Sequence, residues 1–174
     1  IHETMEIGDS VKFSAPFGQF FVRKSAPEPI IFFAGGSGLS SPKSMILDLL
    51  ESNDERAITL CYGARTLDEI YFYDFFRNLE ERKKNFKYFV AVSSEYKGEL
   101  ISERGNVNEL ADKKFQGKFG GHNAYICGPP KMVDACITTL MRGRLFEEHI
   151  FVENFYTNEN GDSAGRRSAL FKKF

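Results

Sequence analysis

Residues 29–50, PIIFFAGGSGLSSPKSMILDLL, decide how the rest of the chain is read. From Pro29 to Ala34 the run is apolar and rich in β-branched and aromatic residues, which predicts a strand. Gly35, Gly36, Ser37 and Gly38 follow, then Ser40, Ser41 and Pro42. Beyond them Met45, Ile46, Leu49 and Leu50 recur with helical spacing. Strand, glycine turn and helix start, in that order, build a seat for an anion. Glycines let backbone approach without a Cβ in the way, and the unpaired N–H groups of a first helical turn point at the charge. Ser40 or Ser41 is expected to cap a helix over Pro42–Ser52, with Pro42 at its first position, where no N–H is needed. A tight turn that binds nothing would carry the same letters, so the stretch needs support from elsewhere.

Outward from it, strand and helix alternate. Ala57–Gly63 is a continuous apolar run, as expected of a strand covered on both faces. Leu67–Lys84 predicts a helix, with Phe72, Phe76 and Leu79 at three- and four-residue spacing. Phe86–Val92 is a third strand, Ser93–Gly105 a loop, and Val107, Leu110 and Ala111 mark a short helix. Ala124–Cys127 is a fourth strand, Pro130–Arg142 a helix, and His149–Phe155 a fifth strand. The expected fold is therefore α/β, a five-stranded parallel sheet with helices on both faces. Ligands of such sheets bind outside the carboxyl ends of the strands.

Residues 1–28 look different. Ser10–Ser14 alternates after the turn pair Gly8-Asp9, Gln19–Val22 suggests a second short strand, and Lys24–Pro29 reads as a linker. Two strands cannot bury a core alone, so this piece must lean on the main domain, 29–156, or belong to another. Residues 157–174 form a tail with Arg166, Arg167, Lys172 and Lys173, read as a solvated terminus.

Composition narrows the function classes. The 174 residues hold 42% hydrophobic and 27% charged side chains with a net charge of −1, so no bulk electrostatic argument for nucleic acid or a membrane surface arises. No run reaches the length of a transmembrane helix, and no signal peptide is expected in the opening residues. The three cysteines, Cys61, Cys127 and Cys136, lack metal-ligand spacing, which points to a reducing, cytoplasmic setting. The start at Ile1 suggests a fragment. His2, His122 and His149 are read as structural or exposed, and Tyr71–Phe76 as helix packing.

Two loops at strand carboxyl ends can carry chemistry. One is the glycine stretch; the other is Cys127-Gly128-Pro129-Pro130, where a glycine admits a ligand and prolines stiffen the turn. As a dinucleotide fingerprint the first is imperfect: Gly36-x-Gly38-x-x-Ser41 has serine at the third glycine. No acid ends the second strand either, where Gly63-Ala64-Arg65 stands and Asp68 and Glu69 come later. Arg65 has three readings, namely a partner for a 2′-phosphate, a stacking platform for adenine, or a surface ion pair. On its own Cys127 reads as a small core residue, and Glu153 as a solvated charge.

In combination the motifs say more. Gly8-Asp9-x-Val11, Pro16-x-Gly18-x-Phe20, AGGSGLSSPKSM, YGAR, YICGPPKM and Phe151-Val-Glu153-Asn-Phe155 resemble, in order, the ferredoxin-NADP+ reductase superfamily. The stretch GLSSPKSMILDLLE and the tail RRSALFKKF look like its subgroup of NADH-dependent phenol and toluene hydroxylase reductase components. The resemblance implies a nicotinamide dinucleotide with its pyrophosphate at Gly35–Ser41, including Gly36, Ser37, Gly38 and Ser40. It implies that Arg65 and Thr66–Glu69 lie near the adenosine ribose, and that Cys127, Gly128 and Pro129 flank the nicotinamide. Glu153 matches an acidic residue near the hydride-transfer site, and Phe155 an aromatic that covers a flavin. The implied role is the NAD(P)H-binding domain of an oxidoreductase that passes electrons from NADH, or NADPH, through FAD to a 2Fe-2S ferredoxin-type cluster for an aromatic hydroxylase.

The chain departs from that pattern in three places. Ser41 stands where the family usually has proline, which comes one position later. The Arg-x-Tyr-Ser flavin motif and the four-cysteine ferredoxin motif are both absent. Residues 1–23 resemble only the last strands of the family's antiparallel flavin-binding barrel, so 1–28 would be those strands plus a linker. FAD and the cluster are therefore expected in the intact protein rather than on this chain, with its own FAD and ferredoxin domains and a hydroxylase oxygenase component as partners. The alternative is a non-catalytic nucleotide-binding or protein-docking module.

Overall fold

The computed structural model describes residues 4–14, 18–94 and 103–153. Strand β1, Ile30–Gly35, is buried along its whole length and forms the centre of the fold. On its one side lie β2 (Ile58–Ala64), β3 (Phe86–Val92) and the two-residue β4 (Glu103–Arg104); on the other lie β5 (Asn123–Cys127) and β6 (Ile150–Glu153). All pairs are parallel, in the order β4-β3-β2-β1-β5-β6. The sheet thus has six strands where five were expected. The extra one is a two-residue edge inside the predicted loop, paired to Ala91 and Val92, too short to carry a periodic signal.

Alternation along the strands divides the core into two layers. Phe32, Leu60, Tyr62, Phe86 and Val90 face α1 (Ser40–Glu51) and α2 (Tyr73–Arg82), through Ile46, Leu49, Phe76 and Leu79. Ile31, Phe33, Cys61 and Ile126 face α3 (Val107–Phe115) and α4 (Pro130–Arg142), through Leu110, Val133, Ile137 and Leu140. Each large apolar side chain buried this way contributes about 1.5–3 kcal/mol, so helices on both faces follow from strands apolar on both faces.

Three local expectations are revised. Helix α1 begins at Ser40 rather than Pro42, because a 3-10 turn over Gly36–Leu39 leads into it and the Ser40 N–H donates to Ser37 O. Leu39 is its N-cap, without a side-chain cap; Pro42 sits third, still among the N–H groups that lack a helical partner. The predicted helix over Leu67–Lys84 breaks into a 3-10 turn, Leu67–Glu69, and α2. At the break Phe72 adopts φ +56°, while the Tyr62 hydroxyl pins the turn by donating to Glu69 O at 3.2 Å. The break leaves Tyr71 and Phe72 exposed, contrary to their reading as helix packing.

Neither Ser10–Ser14 nor Gln19–Val22 forms a strand among its described residues. A ladder needs a neighbour, and the described residues offer none. The second segment is instead docked by side chains: Val22 is buried, Phe20 meets Tyr125 edge-on, and the Arg23 N–H donates to the Tyr125 hydroxyl at 2.9 Å. Arg56, paired to Asp54, donates to Ala26 O and holds the following linker. His122 and His149 are structural, bonded to Phe119 O and Asn123 Oδ1. Phe155 and the basic tail lie outside the described residues.

Candidate functional site

Strand order reverses between β1 and β5, and a crevice of about 1120 Å3 opens over the carboxyl ends of the strands there. That is slightly above the usual range of small-molecule sites, about 300–1,000 Å3. Its floor is the glycine turn, Gly35 to Gly38, together with Gly128 and Pro129. Arg65 and Glu69 line it from the end of β2, and Asn106, Asn108 and Glu109 from the start of α3.

The glycines do two different jobs. Gly36 takes φ +53° with open space around it, so there the chain needs glycine for its backbone conformation. Gly38 is required by contact: a Cβ placed on it would lie 2.5 Å from Cys127 O and 2.7 Å from the same carbonyl carbon. The two loops singled out in the sequence therefore touch, backbone on backbone. Pro129 caps α4 and Pro130 opens it, a position that suits proline.

Behind this floor lies a second cluster. The Ser41 hydroxyl, one turn into the crevice loop, donates to Glu153 Oε2 at 2.8 Å, joining residues 112 apart. Glu153 is the register partner of Cys127 on the neighbouring strand. The Cys127 thiol is pushed up to about 12, by burial first and by the Glu153 carboxylate second, with a Ser41 hydrogen bond opposing. It is a neutral, fully buried thiol, not a nucleophile. Cys61 and Cys136 are buried as well, the former also pushed up to about 12 by burial.

The predicted residues thus fall into two groups. Gly35, Gly36, Ser37, Gly38, Arg65, Gly128 and Pro129 line the crevice; Cys127, Ser41 and Glu153 form its backing, and Ser40 is exposed at the helix start. Of the three readings of Arg65, the surface pair is the one formed. Its NH2 lies 3.0 Å from Glu69 Oε1, its Nε 3.3 Å from Oε2, and its backbone N–H also donates to that carboxylate. Arg65 in turn holds the Glu69 carboxyl below its ordinary range.

Tyr71, Asn106, Asn108, Lys131 and Met132 line the crevice without having been foreseen. A signal was present for two elements. Asn106-x-x-Glu109 is a capping-box pattern, and both of its hydrogen bonds form. Lys131 and Met132 stood inside the quoted YICGPPKM. Tyr71 carried none, because its exposure depends on the break at Phe72.

Among the described residues, no helix is long and apolar enough to cross a membrane. Comparison with known proteins agrees with the geometry. The chain is 52% identical over 174 residues to the phenol 2-monooxygenase reductase component DmpP of Pseudomonas sp. (strain CF600), and 48% identical over 173 residues to the phenol hydroxylase P5 protein of Acinetobacter pittii (strain PHEA-2). Each alignment covers 99% of this chain and 49% of the relative, so the chain spans about half the length of either. Its fold is shared with the flavohem-like FAD/NAD binding domain of nitric oxide dioxygenase from Vibrio cholerae O1 biovar El Tor. That likeness has a TM-score of 0.74 and 24% identity, over 88% of this chain and 62% of that one. A family model for the oxidoreductase NAD-binding domain matches residues 32–137. With the reversal of strand order, the glycine turn and the proline-stiffened loop all inside that match, the chain belongs to the oxidoreductase NAD-binding domain family.

Proposed function

We propose that the chain binds NADH in this crevice, as the nucleotide-binding part of a flavin-dependent reductase that feeds electrons to an aromatic hydroxylase. The observation that carries the reading is the backbone contact of Gly38 with Cys127, which makes the two carboxyl-end loops one floor. The residues fit the group: the Gly36–Leu39 turn, with no Cβ at Gly36 or Gly38, offers backbone N–H donors suited to a diphosphate. Gly128 and Pro129 present a flat, stiff backbone suited to a nicotinamide ring. When bound, the dinucleotide supplies a hydride, and FAD and a 2Fe-2S cluster elsewhere in the intact protein carry the electrons onward.

What this chain contributes is position and dryness. Cys127 stays protonated, and therefore neutral, beneath the floor. Ser41 fixes the Glu153 carboxylate close behind it, where a proton or a partial positive charge can be balanced. NADH is favoured over NADPH because Arg65 is already engaged: an added 2′-phosphate would meet the Glu69 carboxylate before it met a free guanidinium. The residues before Lys24 fit the closing strands of a flavin-binding barrel whose other strands lie in the remainder of a larger reductase. Ile7, Val11 and Phe13 remain exposed here, as strand residues without neighbours would.

Calorimetric titration with NADH, NADPH and ADP-ribose tests the reading. Binding of NADH and ADP-ribose, even at millimolar affinity, with weaker binding of NADPH is the expected result. No measurable binding of any of the three overturns it.

A further inference from the structure

Among the described residues, four charged side chains line the crevice: Arg65, Glu69, Glu109 and Lys131. Three of them are committed. Arg65 and Glu69 neutralise each other across two contacts of 3.0 and 3.3 Å. Glu109 is drawn into the cap of α3, accepting from the Asn106 backbone N–H at 2.8 Å and from its amide at 3.2 Å. Lys131 is the remaining charge. It is exposed, and no hydrogen bond or ion pair ties it to another described residue.

Its place is fixed by its neighbours. Pro129, the N-cap of α4, and Met132, in its first turn, flank it in sequence and both pack against the glycine turn. From the point where a Gly35 Cβ would stand, Met132 Sδ is 2.5 Å away and Pro129 Cδ 3.0 Å. The root of the Lys131 side chain is thereby held beside the glycine turn. That turn offers neutral donors only, backbone N–H groups and the Ser37 hydroxyl. A dinucleotide's diphosphate brings two negative charges, and amide dipoles orient it without cancelling its charge. Lysine, a point charge on a long flexible stem, can reach such a group from the rim while keeping its own hydration until the anion arrives.

We infer that Lys131 is the cationic contact for the diphosphate of the bound dinucleotide. The inference rests on reading the crevice as a dinucleotide site and adds a residue to it. It also divides the labour between the crevice's two cations. Lys131 serves the diphosphate common to all nicotinamide dinucleotides, and Arg65, tied to Glu69, serves none of the phosphates.

The test compares the unaltered chain with Lys131→Ala and Lys131→Arg, titrating ADP-ribose, NADH and adenosine by calorimetry at low and high salt. In Lys131→Ala the Kd for ADP-ribose and for NADH is expected to rise by the same factor, about five- to tenfold. Adenosine, which has no phosphate, should be unaffected, and the salt dependence of the two phosphate ligands should flatten. Lys131→Arg should recover most of the loss. Because Lys131 is exposed and unpaired, both variants should melt like the parent, which separates a lost contact from lost folding. If the unaltered chain binds ADP-ribose and Lys131→Ala binds it equally well with the same salt dependence, this inference fails alone. If the unaltered chain binds none of the dinucleotides, the reading of the crevice fails with it. A loss confined to NADH, with ADP-ribose unaffected, would put Lys131 at the nicotinamide end and overturn the assignment.

Discussion

The two ends of the crevice are built by different physics. At the β1–β5 end the surface is backbone against backbone, with Gly38 in contact with the Cys127 carbonyl and Gly35 under Met132. At the β2 end it is an exposed ion pair, Arg65–Glu69, with the Arg65 side chain 83% accessible. The first end has a shape set mainly where two backbones meet. The second has a charge balance that one substitution can reset. One end can therefore serve the part of a ligand common to a whole class, and the other can choose among members of that class.

The sharpest way to break the comparison is Gly38→Ala. One methyl group would meet the Cys127 carbonyl, which cannot move without parting β5 from β1, so a cost of roughly 2–3 kcal/mol is expected. For a domain of this size that lowers the melting temperature by roughly 5–10 °C, and NADH binding should be lost with it. Gly36→Ala is the contrast: its Cβ meets nothing, and only the φ of +53° costs, about 1–2 kcal/mol. Equal, small effects of the two in thermal melts would show that the loops are not in contact.

Alkaline titration probes the layer beneath the backbone end. Cys61 and Cys127 titrate near 12 in the fold against an ordinary thiol value of 9.0. Above pH 9 the unfolded chain loses these protons while the folded chain keeps them. Stability should therefore be complete below pH 9 and fall between about 9 and 12, by up to ~1.4 kcal/mol per pH unit for each thiol. Chemical denaturation at pH 8, 9 and 10 measures the slope, and Cys127→Ala should make it shallower. An unchanged slope would mean that the thiol is hydrated.

At the charged end the expected effect is smaller. Glu69→Gln frees the Arg65 guanidinium and removes the carboxylate, so affinity for NADPH should improve relative to NADH by roughly three- to tenfold. Both are exposed, so the melting temperature should barely move. A ratio that stays at its original value would place the 2′ position away from this pair.

Much of the fold was legible because its signals are local. Pro130–Arg142 and Phe86–Val92 appear as expected, one marked by an N-terminal proline and apolar residues at helical spacing, the other by a β-branched and aromatic run. Misreadings fell where local preference is weak or overruled. Glu103 and Arg104 have no strand preference and pair only because β3 offers a free edge. Residues 67–84 keep helical spacing throughout, yet the Tyr62 hydroxyl and a left-handed Phe72 split them. Ser10–Ser14 shows the converse, an alternating pattern without a neighbour to pair with.

For the site, the residues alone determined that a glycine turn and a proline-stiffened loop would each follow a strand, since turn chemistry is written in the turn. They also determined the type of each layer, because strands covered on both faces are apolar at most of their positions. Only the tertiary structure decided that Gly38 lies on Cys127, that Ser41 holds Glu153, that Glu69 occupies Arg65, and that Lys131 has no partner among the described residues beside the glycine turn. Those are contacts between distant segments or choices among rotamers. They are set by sheet order and register, which no single stretch of sequence contains.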